Sequence, residues 1–326
     1  MENDIIDICL SKEDIEDMPL LIIVLLLSLL FIAINYVVFS MAFKPSKDRD
    51  SDYTKFPKSP QYDEVKERSD ILTEELEAIP YEEVWIESFD GLRLFGRYYH
   101  IKDGAPLQIE AHGYHGTAFR DFCGGNKLAR ESGFNTLLID QRSHARSEGR
   151  AITFGIKERL DIKAWAEWAA SRFGEDVKIV IVGISMGAAT VLMASELDLP
   201  RGVVGVIADC PYSSPIEIIR KVSNDRRIPW ALVKPFVHTS ARIFGGFDIK
   251  ASSPVEAVRN TKLPILLIHG TDDRYVPYQM SVAIRQANPK NIDFLTVERA
   301  GHGLSYMIDT DAYESAVKEF LKKVLE

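Results

Sequence analysis

The stretch KIVIVGISMGAATVLMASEL, residues 178–197, decides how the chain is read. A β-branched apolar run passes into Gly183-Ile184-Ser185-Met186-Gly187, and a helix-forming run follows without a linker. A strand that turns so abruptly into a helix forces its central residue into an unfavourable backbone conformation, and strain of that kind usually serves function. Gly183 and Gly187 have no side chains to collide with the neighbouring strand and helix. The Ser185 hydroxyl is thereby held out at the head of a sheet, with the N–H groups of the new helix beneath it. Such groups stabilise nearby negative charge.

Outward from this turn, strand and helix patterns alternate. EVWIESFDGLRLFGRYYH (83–100) is two strand-like runs joined at Asp90-Gly91, a good hairpin signal. LQIEAHG (107–113), FNTLLID (134–140), VKIVIVG (177–183), VVGVIAD (203–209), LPILLIHG (263–270) and IDFLTVE (292–298) read as strands. Helical patterns lie between them, and an amphipathic helix closes the chain. Short continuous apolar strands separated by helices predict an α/β fold with a mostly parallel central sheet and helices on both faces. Such a fold gathers its ligand site beyond the carboxyl ends of the strands. Chemistry is therefore sought at His112-Gly113-Tyr114, Asp140-Gln141-Arg142, Ser185, Asp209-Cys210, Asp272-Asp273 and His302.

A serine hydroxyl is a weak nucleophile at neutral pH. It needs a base to take its proton and an acid to orient that base. Among seven histidines, His302 stands in a glycine-flanked loop just after the last predicted strand and is the expected base. His269 and His112 end strands and read as turn or packing residues. His115, His144, His100 and His238 have no matching position near a late strand end. His112 and His115 form an H-x-x-H, a weak metal signal in a glycine-rich turn, and neither a metal nor a cofactor is expected. For the acid, Asp272 and Asp273 follow one strand and Asp209 an earlier one. An attacked carbonyl becomes an oxyanion, and each backbone N–H aimed at it is worth about 3 kcal/mol. Met186, the residue after the nucleophile, and Tyr114, in the loop after LQIEAHG, are the expected donors.

Length and composition set the frame. A chain of 326 residues, 46% hydrophobic, suits one large domain with attachments or two small ones. A net charge of −9 carries no electrostatic footprint for nucleic acid, so that partner is set aside. Cys9, Cys123 and Cys210 are widely spaced and read as reduced structural thiols.

The N-terminus begins with an acidic tail, residues 1–19. Residues 20–43 are then expected to form a transmembrane helix, since the charge-free run from Leu20 to Phe39 is long enough for a hydrocarbon core of about 30 Å. A cleaved signal peptide is the rival, but the preceding segment is acidic where a signal peptide wants positive charge. Lys12 alone precedes the span, while Lys44, Lys47, Arg49, Lys55 and Lys58 follow it. The positive-inside rule then puts the C-terminal body in the cytoplasm of a single-pass cell-membrane protein. Residues 44–60 read as a polar linker. The charged helical stretch after it either packs on the body or stands between body and membrane.

The motifs HGYHG, DQRSHARSEG, GISMGAAT, DCPYSS, HGTDDRYVP and AGHG occur in this order between about Tyr81 and Glu326. On these the chain resembles an α/β-hydrolase, and within that superfamily bacterial membrane-anchored serine hydrolases of the prolyl oligopeptidase type and BEM46-like type. The resemblance implies a hydrolase domain over residues 61–326 with a small helical cap at about 213–261. It also implies a triad of Ser185, Asp273 and His302, with Tyr114 and Met186 as the oxyanion hole. Asp273 is preferred over Asp272 because it stands three residues before Val276-Pro277, as the family pattern requires. Tyr212 is expected at the mouth of the substrate pocket. Relatives often carry D-x-R-G-H-G-x-S, whereas Ser143 and Ala145 replace the two glycines here, so a loop of different shape is expected. The implied activity is cleavage of a carboxylic ester in a small-molecule or lipid-like acyl substrate. Thioesterase (depalmitoylase-like) and peptidase activity share the mechanism, and a non-catalytic membrane-bound binding module and a metal-dependent hydrolase are readings of other classes.

Overall fold

The computed structural model describes residues 12–46 and 60–326. In chain order the elements are α1 (Lys12–Ala42), α2 (Pro60–Asp63), α3 (Lys66–Glu77), β1 (Glu82–Glu87), β2 (Arg93–Tyr99), β3 (Leu107–Ala111), α4 (Ala118–Glu131) and β4 (Asn135–Ile139). There follow α5 (Glu158–Phe173), β5 (Ile179–Ile184), α6 (Met186–Ala194), β6 (Val203–Asp209), α7 (Pro215–Asp225), α8 (Trp230–Ile243) and α9 (Pro254–Asn260). The chain closes with β7 (Ile265–Gly270), α10 (Tyr278–Ala287), β8 (Ile292–Val297), α11 (Ser305–Ile308) and α12 (Thr310–Leu325).

The strands form one sheet in the order β1-β2-β4-β3-β5-β6-β7-β8. β1 and β2 pair as the antiparallel hairpin that Asp90-Gly91 signals, with Gly91 at φ 80° and Ser88 Oγ donating to Asp90. From β4 through β8 every pairing is parallel. β3, β4 and β7 are buried at every residue; in β7 this goes with the continuous apolar run Ile265–Ile268, whereas β3 and β4 carry the buried polar side chains Gln108, Glu110, Asn135 and Thr136, which are hydrogen-bonded. One sheet face packs on α5, α6, α9 and α10 through Trp165, Ala169, Leu192, Val258 and Ile284. The other face packs on α3, α4 and α12 through Leu76, Phe122, Leu128, Val317 and Phe320. The charged stretch after the expected linker is thus part of the body, its Leu72 and Leu76 buried beneath a polar exterior.

A third apolar cluster sits at the carboxyl ends of the central strands. It joins Met193 of α6 and Phe154 to Ile218 of α7, Val237 of α8, and Phe39 and Phe43 at the end of α1. Met18–Ala42 is long and apolar enough to cross a membrane. Its last turns are fixed to the body: Phe43 is fully buried against Phe154 and Phe247, and its carbonyl accepts from Ile152 N at 2.8 Å. α8 lies along α1, with Phe236 beside Phe31 and Phe244 beside Tyr36 and Phe39. Buried Asn35 closes the contact by accepting from the Thr239 hydroxyl. α7 and α8 cover the end of the sheet that carries Ser185, whereas α9 returns to the sheet face. Expected-linker residues 47–59 lie outside the described residues.

Candidate active site

Ser185 occupies the turn between β5 and α6 at φ 56° and ψ −114°, a conformation that residues other than glycine rarely hold. It persists because both ends are fixed. Its N–H donates to Asp209 O on β6 at 2.8 Å, and its C=O accepts from Ala189 N in α6 at 3.0 Å. A Cβ on Gly187 would lie 1.9 Å from Ala111 O of β3, and one on Gly183 would lie 2.2 Å from the Gly187 carbonyl carbon. Strand, helix and neighbouring strand therefore approach more closely than any side chain permits.

The structure brings Ser185, His302 and Asp273 together. Ser185 Oγ lies 2.8 Å from His302 Nε2, and His302 Nδ1 lies 2.7 Å from Asp273 Oδ2. With Nδ1–H donating to the carboxylate, Nε2 is free to accept the serine proton. The rest of the Asp273 carboxylate is also occupied. Oδ1 accepts the Tyr275 and Val276 amides, both at 2.8 Å, and Oδ2 faces His269 Nε2 at 3.2 Å. Burial pushes the Asp273 carboxyl up, but His302 and His269 and their hydrogen bonds prevail and hold it well below the usual carboxylate range. Asp272 is exposed, and its backbone carbonyl accepts from Gln61. Asp209 is buried and accepts from Ser305 Oγ at 3.1 Å, and burial pushes its carboxyl up to about 6. Of the three candidate acids, Asp273 makes the hydrogen bond to His302.

The loops beside Ser185 are braced by neutral imidazoles. His112 Nδ1 donates to Gly113 O at 2.8 Å while its Nε2 accepts the Gln141 amide at 3.1 Å. His144 Nε2 accepts the His115 amide at 3.2 Å. Burial pushes the pKa of both rings down. Both nitrogens of His112 are committed to the backbone, which leaves it no lone pair for a metal. Cys210, Asp273 and His302 place ligand-type atoms within 4.8 Å of one another. Burial pushes the Cys210 thiol well up, and the other two are already hydrogen-bonded to each other within the Ser185 line. Ser143 and Ala145 take φ 64° and 40°, in the left-handed region that favours glycine. Ser143 Oγ donates to Ala151 O at 2.8 Å, and Gly149 at φ 147° leaves room for that side chain.

Met186 opens α6, so its amide has no acceptor within the helix. Tyr114 follows Gly113, whose added Cβ would stand 3.3 Å from Ser185 Cβ. Both amides thus belong to segments flanking the serine. The Tyr114 ring stacks on Phe154 at 5.2 Å, and its hydroxyl donates to Ala42 O at 3.0 Å. Two cavities meet at Ser185. One, about 240 Å³, is walled mainly by apolar side chains and includes buried Tyr212. The Tyr212 hydroxyl has no hydrogen-bond partner among the described residues. The other, about 470 Å³, includes His302 and the charged residues Lys221, Asp225 and Arg274.

Sequence reasoning missed the supports of the His302 loop. Tyr62 of α2 donates to His302 O at 3.0 Å, and Gln61 packs so closely that a Cβ on Gly301 would meet it at 2.9 Å. These partners lie some 240 positions apart in the chain, and no local pattern announces them. His269 was read as a packing residue, yet it faces Asp273 while its Nδ1 lies 2.6 Å from Ser281 Oγ.

The sequence profile described as the prolyl oligopeptidase family matches residues 153–326. An uncharacterized Bacillus subtilis protein, YqkD, is 28% identical over 198 residues; the match takes in 60% of this chain and 64% of that protein, just under two thirds of its length. Among solved structures, the esterase Pf2001 of Pyrococcus furiosus aligns with a TM-score of 0.58 and 25% identity, over 76% of this chain and 94% of its own. Est1E of Butyrivibrio proteoclasticus, solved with ferulic acid bound, aligns with a TM-score of 0.56 and 22% identity, over 74% and 99%. The fold is that of the α/β-hydrolases.

Proposed function

The chain belongs to the prolyl oligopeptidase family, and on that footing we propose that it is a membrane-anchored serine hydrolase that cleaves a carboxylic ester through Ser185, His302 and Asp273. The observation that carries this reading is the unbroken hydrogen-bonded line from Ser185 Oγ through His302 to Asp273, opening onto an apolar cavity. In the proposed reaction Ser185 Oγ attacks the acyl carbon and its proton passes to His302 Nε2. The carbonyl oxygen becomes an oxyanion facing the Tyr114 and Met186 amides. The acyl–alcohol bond breaks, and His302 returns the proton to the leaving alcohol. Water then attacks the acyl-enzyme, again giving its proton to His302, and the acid is released as Ser185 is reprotonated. Asp273 keeps its charge throughout and holds the imidazolium.

The apolar character of the cavity and the esterase identity of the archaeal structural neighbour favour an ester. The family's name favours a peptide, and relative kcat/KM on p-nitrophenyl esters and aminoacyl p-nitroanilides decides between them. A fluorophosphonate probe tests the mechanism itself. Wild type is expected to label, and Ser185→Ala is expected to lose both labelling and turnover. Asp273→Asn should lower kcat about 10⁴-fold, because the imidazole would be held in the wrong tautomer. Asp272→Asn should leave kcat within a few-fold of wild type. A well-folded wild type that neither labels nor turns over ester would support the binding-module reading instead. We place α1 as a single span with the body on the cytoplasmic side.

A further inference from the structure

The 240 Å³ cavity is not enclosed by the hydrolase body alone. Val38, Met41 and Ala42 of α1 line it together with Ile219 of α7 and Val233 and Val237 of α8. Tyr114, whose amide is the proposed oxyanion donor, lines the same cavity and donates through its hydroxyl to Ala42 O. The end of the membrane helix is therefore built into the wall of the pocket that reaches Ser185, and buried Phe39 and Phe43 keep it there.

The cavity opens where α1 is still an apolar surface. Met41 lines it and is 50% exposed, and Ile228 lines it from the α7–α8 corner while partly exposed. Neighbouring Val37 and Leu232 are also exposed apolar residues. A mouth with this rim is poorly matched to a water-borne substrate. It is continuous with the lipid-facing surface that a spanning helix presents. Size narrows the occupant further. An apolar cavity of about 150 Å³ holds one benzene, so by proportion 240 Å³ takes a linear chain of roughly eight to ten carbons. On the other side of Ser185 the larger cavity has the charged side chains Lys221, Asp225 and Arg274 on its walls. Acyl chain and leaving group are thereby offered different surroundings, charged groups standing on the leaving-group side.

We propose that α1 is a wall of the acyl pocket as well as an anchor, and that the substrate is an amphipathic ester whose medium-length linear acyl chain passes from the bilayer along α1 to Ser185. This rests on the serine-hydrolase reading of the same site. The polar alcohol of the substrate lies in the cavity beside His302, where water enters for the second half of the reaction.

The test uses the full chain in phosphatidylcholine vesicles with a series of p-nitrophenyl esters running from acetate through octanoate to dodecanoate. Wild type should prefer the octanoate. Val38→Trp fills the cavity from the α1 side and Met41→Trp obstructs its rim. Each should lower the octanoate-to-acetate ratio of kcat/KM about tenfold or more. Val38→Ala, a change that any fold tolerating Val38 should accept, should move the optimum to a longer chain. An unaltered chain-length profile in all three variants overturns the proposal, as does a parallel loss across the series with labelling intact. Failure of wild type itself to label removes the hydrolase reading, and the pocket assignment falls with it.

Discussion

Asp273 and Glu110 are both buried carboxyls, and they titrate in opposite directions. Asp273 is surrounded by donors, two amides and two imidazoles, and keeps its charge. Burial pushes the Glu110 carboxyl on β3 up to about 8 from 4.5, outweighing the amides of Asn126 and Gln108, at 2.9 and 3.2 Å, and the Arg130 charge. Across that window the unfolded chain has released a proton that the folded chain keeps. Stability therefore falls as pH rises through it and is fully present below it. Glu110→Gln removes the titration, so its melting temperature should fall less than that of wild type as pH rises from 4.5 to about 8, as read by circular dichroism. This contrast was illegible in the sequence, where Glu110 is one acid in an apolar strand. The triad candidates were legible for a specific reason. Ser185, Asp273 and His302 each follow a strand that declares its own end, and a parallel sheet delivers such positions to one edge. The residues that steady them, Tyr62, Gln61 and His269, act through contacts that no spacing encodes.

At the scale of elements, the β5–α6 turn is set by how closely backbones approach. Gly187→Ala would put a methyl 1.9 Å from Ala111 O, and β3 cannot retreat because it is paired on both sides. The expected cost is about 3 kcal/mol or more in urea unfolding. Gly104→Ala provides the control: φ is +72° there, but nothing lies within 4 Å of the added carbon, so about 1–2 kcal/mol of backbone strain is expected. β5, β6 and β7 were readable because burial on both faces leaves a nearly uninterrupted apolar signature. α3 was harder. Leu72 and Leu76 are buried with Ser69 and Thr73 among charged neighbours, and the sequence left open whether this helix packs on the body. In the loop at 140–149, a hydrogen bond from Ser143 to Ala151 O and the space left by Gly149 accompany positive φ at residues other than glycine.

At the scale of the whole molecule, the proposed topology predicts which segments a protease reaches. In inverted vesicles, with the cytoplasmic face outward, trypsin should cut the exposed basic residues Arg226 and Arg227 between α7 and α8. In right-side-out vesicles the same sites should be protected, and cleavage there would reverse the orientation. The apolar run of α1 was legible as a span, but its part in the pocket was not, because a uniformly apolar helix looks alike in sequence whichever residue it turns toward the protein. Phe43 carries a consequence of its own. With this ring locked between Phe154 and Phe247 and its carbonyl joined to Ile152, the end of α1 is fixed directly to the body. Under the proposed single span, a catalyst mounted in this way would search in two dimensions. Its velocity should follow the mole fraction of ester in the lipid sheet and decline on surface dilution, even while the amount of ester per millilitre is unchanged.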